Sequence, residues 1–185
     1  MSDFNNKAVF LDRDGTLIEE VNFLSDPDQV SLFPGTVEAL RLLRSKGFLL
    51  VVITNQSGVG RGLFDESSVA SVHSRIQKLT GDIIDAFYFC PHLPDEGCEC
   101  RKPSDGMLRS AVSDLSIDLG RSWMVGDKEL DVMTGLGIGM RAILVRTGYG
   151  SQHETRIGES SHFVADEIKQ AAELIVAIED ADANR

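Results

Sequence analysis

Two carboxylates one residue apart, Asp12 and Asp14, follow directly on a short apolar run at residues 8–11, and Gly15 comes next. The run reads as a strand. Glycine then lets the backbone turn sharply, because it accepts angles that other residues resist. In an open α/β sheet, ligands bind just beyond the carboxyl ends of the strands, which is where both acids would sit. Carboxylates this close repel, so each is hard to ionise alone. A hard divalent cation such as Mg2+ removes the conflict, taking carboxylate and carbonyl oxygens and leaving room for a substrate phosphate. An ordinary polar turn also favours Asp and Gly, so the remaining stretches must decide between the two.

A second apolar run, residues 48–53, ends in Thr54-Asn55-Gln56-Ser57-Gly58-Val59-Gly60-Arg61-Gly62. A hydroxyl at a strand end followed by glycines can offer Oγ and backbone N–H groups to phosphate oxygens. The glycine spacing fits neither a dinucleotide fingerprint nor a P-loop, and a glycine-rich turn without ligand stays open. Asn55, Gln56 and Ser57 are candidate substrate contacts. So are Glu20, Val21, Asn22 and Phe23, in the polar 19–34 segment that either shapes the pocket mouth or merely connects.

All three cysteines fall within eleven residues, in Cys90-Pro91-His92 and Cys98-Glu99-Cys100. An odd, clustered set is a poor disulfide framework and a good start for a metal site. Four N/S ligands closing a tetrahedral shell are what structural zinc uses; a reactive or incidental thiol cluster is the other reading. Arg101-Lys102-Pro103 follows at once, so ligation of Cys98 and Cys100 would aim these two cations. Arg101 could grip a second anionic group; a solvated basic pair is the alternative. Trp123-Met124-Val125 is a further short strand ending in Gly126-Asp127-Lys128-Glu129-Leu130-Asp131. Asp127 there is a candidate Mg2+ ligand and Asp131 a supporting acid, or the two are a helix cap and a first-turn acid.

The elements that must position these residues alternate. Helices are expected over residues 36–46, 65–79 (Asp65 as N-cap), 107–115 and 168–179, and strands over 83–89, 142–145 and 163–164, by apolar periodicity and cap signals. His73 lies beside the apolar stripe of its helix and reads as a surface or packing residue. Residues 151–161 read as a polar loop and 180–185 as a frayed end. Strand, helix and strand in that order predict parallel right-handed units. The fold class is therefore α/β: a doubly wound, Rossmann-like, mainly parallel sheet with helices on both faces. A chain of 185 residues suits one domain over residues 1–185. Its net charge of −11 argues against nucleic acid or an anionic membrane as partner. With no membrane-length apolar run and no basic-then-apolar start, a cytoplasmic monomer is expected.

Asp12-x-Asp14-Gly-Thr, Thr54-Asn55-Gln56, Arg101-Lys102-Pro103 and Gly126-Asp127-Lys128-x-x-Asp131 are four separated motifs spanning most of the chain. Together with the Cys-x-His and Cys-x-Cys loop they resemble the haloacid dehalogenase superfamily of phosphatases, in its small, capless, zinc-loop branch. The resemblance implies Asp12 as nucleophile, Asp14 as general acid and base, Thr54 as a contact to the phosphoryl group and Lys102 as its counter-charge. It implies Mg2+ held by Asp12, the Asp14 carbonyl and Asp127, with structural Zn2+ on Cys90, His92, Cys98 and Cys100. A small sugar phosphate is the implied substrate, and a bisphosphate would use Arg101 and Lys128. The Asn55–Gly62 and Gly126–Lys128 stretches resemble the sugar-bisphosphate members, whereas the short zinc-loop spacer resembles the histidinol-phosphate members. A phosphotransferase using the same intermediate and a phosphate-binding module without turnover remain as alternatives.

Overall fold

The computed structural model describes residues 4–157 and 162–184. Six parallel strands form one sheet in the order β3-β2-β1-β4-β5-β6: β1 Ala8–Leu11, β2 Leu49–Asn55, β3 Ala86–Cys90, β4 Trp123–Gly126, β5 Arg141–Val145 and β6 Phe163–Ala165. The central strands are apolar along their whole length because both faces are covered. Alternate residues divide between the faces. Val9, Leu11, Leu50, Val52 and Val125 pack under α1 (Thr36–Ser45), α3 (Glu66–Thr80) and α7 (Ile168–Ala183). Phe10, Val51, Ile53, Met124 and Leu144 pack under α4 (Gly106–Leu115) and α5 (Glu129–Gly137).

The chain winds outward from β1 to β2 and β3, then crosses to the other side of β1 to lay down β4. Leu11 is level with Val52 on one neighbour and Val125 on the other. The carboxyl ends of β1, β2 and β4 therefore lie side by side where the strand order reverses, which is the ligand crevice of a doubly wound sheet. The 19–34 segment folds back over this edge. An antiparallel bridge joins Ile18 to Leu32, Glu19 N donates to Ser31 O at 2.9 Å, and Leu24 is buried as an anchor. The glycine-rich stretch after β2 closes into one helical turn, α2 (Ser57–Gly60).

Three expectations need correction. The third strand starts at Ala86, not at 83. Gln77 brackets the backbone of Ile84, and Asp85 meets Leu50 with one backbone bond (N to Leu50 O, 2.9 Å) and with its carboxylate, which accepts Leu50 N at 2.7 Å where a strand would offer a carbonyl. Residues 150–157 form a helix, α6 (Gly150–Ile157), where a loop was expected; 158–161 lie outside the described residues. Arg146 clamps this helix through both oxygens of Glu154 at 2.7 and 2.8 Å, and His153 Nδ1 accepts Glu129 N at 3.2 Å. Tertiary contacts thus hold a segment that has almost no apolar stripe. The expected frayed end is helical to Ala183, with Asp180 and Asp182 paired to Lys46 and Arg141; Arg185 lies outside the described residues. No helix among the described residues is long and apolar enough to cross a membrane.

Candidate active site

Asp12 leaves β1 with its N–H donated to Val125 O at 2.9 Å, so it stays in sheet register against β4. Asp127 follows β4, and Asp131 sits in the first turn of α5, where its Oδ2 accepts Lys128 N at 2.9 Å. One oxygen of each of these carboxylates lies within 4.8 Å of the others, and all three residues are buried. Lys102 reaches the same point. Its Nζ is 2.6 Å from Asp12 Oδ1 and 2.6 Å from Asp131 Oδ1, and donates to Ile53 O at 2.8 Å. The ammonium is thereby held by two hydrogen bonds, to Asp12 and Ile53, and by the ion pair with Asp131. Asp127 keeps one oxygen apart: Oδ2 accepts Tyr149 N at 2.8 Å, while Oδ1 is buried with no hydrogen-bond partner.

Three buried acids exceed the charge that Lys102 brings. Burial, then the Asp12 charge, pushes the Asp127 carboxyl up to about 8. Burial raises Asp131 to about 6 against the pull of Lys102. Asp12 goes the other way: burial opposes its charge, but Lys102 and Lys128 outweigh it and hold the carboxyl below its usual range. A group of hard oxygens crowded with like charge, with Asp127 Oδ1 and Asp131 Oδ1 both lacking a hydrogen-bond partner, fits a divalent cation. Glycine keeps the approach open. A Cβ on Gly15 would stand 2.3 Å from Asp127 Oδ2, and one on Gly148 would stand 2.4 Å from the same atom.

The Asp14 carboxylate sits apart from that cluster, on the β2 side. Arg13 donates to it twice, Nε to Oδ2 and Nη2 to Oδ1, each at 3.0 Å. Gln56 Nε2 donates to Asp14 Oδ2 at 2.9 Å and to Thr54 Oγ1 at 2.8 Å. Arg13 is the residue that sequence reading passed over. Its one signal is a charge between two strand-end acids, and only the fold shows it 1% exposed.

A cleft with two lobes covers these groups. One lobe, about 190 Å3, is floored by Asp12, Thr54, Lys102 and Asp131 and edged by Arg101 and Lys128. The other, about 150 Å3, is lined by Arg13, Asp14, Gln56 and Ser57 and by Glu20, Val21, Asn22 and Phe23 from the folded-back segment. Every residue expected to touch substrate therefore lines one cleft. Lys128 stands across its mouth, 3.2 Å from Glu20 Oε2 and 5.0 Å from the Tyr149 ring centroid, and its ammonium is held above the usual range: burial opposes, but Asp12, Asp127 and Glu20 prevail. Asn55 lines both lobes, but both ends of its amide are already engaged. Its Oδ1 accepts Lys102 N at 3.0 Å and its Nδ2 donates to Lys102 O at 3.2 Å, so it brackets the backbone that delivers Lys102.

The Cys and His side chains converge as well. Cys90 Sγ lies 3.6 Å from Cys98 Sγ and 3.5 Å from His92 Nδ1, while Cys100 Sγ lies 3.6 Å from Cys98 Sγ and 3.2 Å from His92 Nδ1. With zinc–sulfur bonds of about 2.3 Å, tetrahedral geometry sets sulfur atoms roughly 3.8 Å apart, so these four atoms fit the corners of a zinc shell. Without a metal, burial pushes the Cys90 thiol up to about 12. Gly60 N donates to Pro91 O at 2.9 Å and Gly106 N to Glu99 O at 3.0 Å, tying one side of the loop to α2 and the other to the start of α4. Arg101 Nη1 donates to His92 O at 3.2 Å, which couples the cluster to the cleft.

Comparison with known proteins agrees with this geometry. A HAD-hydrolase-like family model matches residues 99–171, and a polynucleotide kinase 3 phosphatase model matches residues 7–133, more than half of the chain. The D-glycero-beta-D-manno-heptose-1,7-bisphosphate 7-phosphatase of Haemophilus ducreyi is 40% identical over 153 residues, which are 77% of this chain and 84% of that protein. The chain belongs to the haloacid dehalogenase-like phosphatases. The enzyme of the same name from Pasteurella multocida is 36% identical over 179 residues, 91% of this chain and 96% of that protein. Among solved structures, the D,D-heptose 1,7-bisphosphate phosphatase from B. bronchiseptica, complexed with magnesium and phosphate, superposes with a TM-score of 0.86. It is 32% identical, and the match covers 93% of this chain and 99% of that one. This haloacid dehalogenase-like phosphatase is accordingly a phosphoric monoester hydrolase.

Proposed function

We propose that this phosphatase removes the 7-phosphate of D-glycero-D-manno-heptose 1,7-bisphosphate through an aspartyl-phosphate intermediate. The observation that carries the chemistry is Asp12 held ionised by Lys102 at the switch point, with a second carboxylate, Asp14, lining the same cleft. In the first step an Asp12 carboxylate oxygen forms a bond to phosphorus while the bond from phosphorus to the sugar oxygen breaks. The Asp14 carboxyl gives its proton to that departing oxygen. In the second step Asp14 takes a proton from water as the water oxygen bonds to phosphorus. The acyl phosphate bond then breaks, restoring Asp12 and releasing inorganic phosphate. Thr54 and Lys102 orient and neutralise the phosphoryl group. Asp12, Asp127 and the Asp14 carbonyl would hold Mg2+, with Asp131 holding Lys102 and capping the helix beside it. When bound, the ion offsets charge on the transferring phosphoryl group. Zn2+ on Cys90, His92, Cys98 and Cys100 would be structural, since four protein ligands leave no open position.

The substrate reading rests on the curated relatives that share most of the chain and on two further cations, Arg101 and Lys128, at the rim of the lobe that holds Asp12. The histidinol-phosphate reading had only the short zinc-loop spacer in its favour. A polynucleotide, named by one matching family model, suits a chain of net charge −11 poorly. The protein is read as a single-domain monomer of the cytoplasm. The test is Mg2+-dependent phosphate release from the heptose bisphosphate, from histidinol phosphate and from a 3′-phosphorylated oligonucleotide under matched conditions. The heptose bisphosphate is expected to win in kcat/KM by at least about 100-fold. Equal turnover of histidinol phosphate would refute the substrate, and full activity in Asp12→Asn would refute the nucleophile.

A further inference from the structure

The group least explained by the chemistry above is the buried guanidinium of Arg13. Taking a cation out of water is costly, and one ion pair rarely repays the cost unless its geometry matters. Arg13 is 1% exposed, and its Nη1 is buried with no hydrogen-bond partner. Its other edge is fully committed: Nε and Nη2 meet the two oxygens of Asp14 at 3.0 Å each. The side chain thus gives up satisfaction of one nitrogen while holding a two-point grip on the next residue in the chain.

What this grip does follows from a count of acceptor sites. An ionised carboxylate offers about four lone-pair positions, two on each oxygen. On Asp14, Oδ2 accepts from Arg13 Nε and from Gln56 Nε2, which fills it. Oδ1 accepts from Arg13 Nη2 alone. One acceptor position is left, and it is on Oδ1. The planar fork also fixes the plane of the carboxylate, as a lysine ammonium with its rotatable point charge could not.

We propose that Arg13 is a positioning residue: by gripping both oxygens of Asp14 it makes Oδ1 the one atom that moves the proton, and aims it into the cleft. This rests on the reading of Asp14 as general acid and base given above. The Arg13 nitrogens that make hydrogen bonds, Nε and Nη2, both go to Asp14, so its effect on the reaction is argued to pass through that carboxylate. Gln56 shares the task by filling Oδ2, and it ties the carboxylate to Thr54 on β2.

The experiment is a double-mutant cycle on the Mg2+-loaded protein, with the heptose bisphosphate as substrate. Single-turnover quench makes slow variants measurable. Arg13→Lys, Arg13→Met, Asp14→Asn and the Arg13→Met/Asp14→Asn pair are compared with the parent, alongside thermal melting. Both Arg13 variants are expected to lower kcat by about 10- to 100-fold with KM within about twofold. In the Asp14→Asn background, Arg13→Met is expected to cost less than about twofold more, because its target is gone. Arg13→Lys keeps the buried charge, so it answers the question even where Arg13→Met does not fold. Parent-level kcat in a folded Arg13→Lys, or a loss from Arg13→Met that multiplies onto that of Asp14→Asn, would overturn the proposal. Parent-level kcat in Asp14→Asn would instead bring down the role of Asp14 itself, and the two failures are told apart by which variant keeps its rate.

Discussion

Removing the Lys102 ammonium would leave the buried Asp12 and Asp131 carboxylates without the cation that each meets at 2.6 Å. Two effects are expected from Lys102→Met. Transition-state charge loses one preorganised partner, which costs about 100- to 1,000-fold in kcat. Breaking a buried pair also destabilises the fold, by about 3 kcal/mol or more, because carboxylates remain uncompensated. Mg2+ titration with denaturation in urea separates the two, since added metal should recover stability without recovering rate. His73 provides a pH signature of a different kind. It is buried, stacks on Phe87 with ring centroids 4.6 Å apart, and is pushed down from 6.5 to about 3 by burial, then by the Arg13 charge. The unfolded chain therefore takes up this proton first as pH falls. The stability that neutral His73 contributes is complete above about pH 6.5 and is lost on the way down to about 3. His73→Phe should flatten the fall in urea midpoint between pH 7 and pH 5; an unchanged slope would show that His73 is not the titrating group. Of the two readings of His73, surface or packing, its burial supports packing, and that burial depends on β3, which no local pattern on α3 reports.

At the scale of elements, strand ends and the loops after them do the positioning. Gly148 follows β5 with φ +55° and stands against both Asp127 and Gly15. Gly148→Ala would put a Cβ 2.4 Å from Asp127 Oδ2 and 2.6 Å from Gly15 Cα. The expected result is a weakening of apparent Mg2+ affinity by about tenfold or more, with the zinc content unchanged, since ligand geometry rather than charge is disturbed. Activity measured across a Mg2+ series, with metal analysis, checks this. The zinc loop makes the reverse prediction. Under the proposed Zn2+ ligation by Cys90, His92, Cys98 and Cys100, a thiol-competitive chelator should lower the melting temperature and kcat/KM together, because the loop leads into Arg101 and Lys102 and is too short and polar to hold itself. Asn55 joins the two elements: it was read as a substrate contact, yet its amide holds the Lys102 backbone. Asn55→Ala is therefore expected to act on kcat, like a mild Lys102 defect, more than on KM.

Across the whole molecule, the site exists because the chain reverses direction at β1, which sets the end of β4 beside the end of β1. Sheet continuity then carries the positioning into the far helices. α7 packs on the β1 face, and its last turn adds pairs from Asp180 to Lys46 and from Asp182 to Arg141. Those pairs are exposed, and exposed pairs contribute little. A chain ending at residue 179 is expected to keep its kcat and to melt no more than about 4 °C lower; a larger drop would mean that the last turn belongs to the cooperative core. The global charge of −11 repels an anionic substrate, whereas Lys102, Lys128 and Arg101 gather around the cleft. Local counter-charge within a few ångströms outweighs a diffuse field that salt screens over about 10 Å.

Strand runs, helix stripes, the Asp65 cap and the chemistry of each strand end could be read along the chain, because burial patterns and turn preferences are local. So could the four zinc-type ligands, whose spacing keeps them within one loop. The family resemblance implies that Asp12 and Asp127 share a metal, but only the tertiary structure brings these acids together with Asp131. Asp12 joins Asp127 and Asp131 across more than a hundred residues only through the crossover, and Lys102 finds both because Asn55 and the zinc loop deliver it. The helix at Gly150–Ile157 likewise depends on Arg146 and on the start of α5, not on its own polar sequence. Arg13 shows the limit most clearly. Its residue type predicts an exposed side chain, and only close packing of β1 against its neighbours turns it into a buried fork on Asp14. Local chemistry chooses the candidates, and long-range burial chooses their partners and charge states, because desolvation and distance are properties of the folded chain.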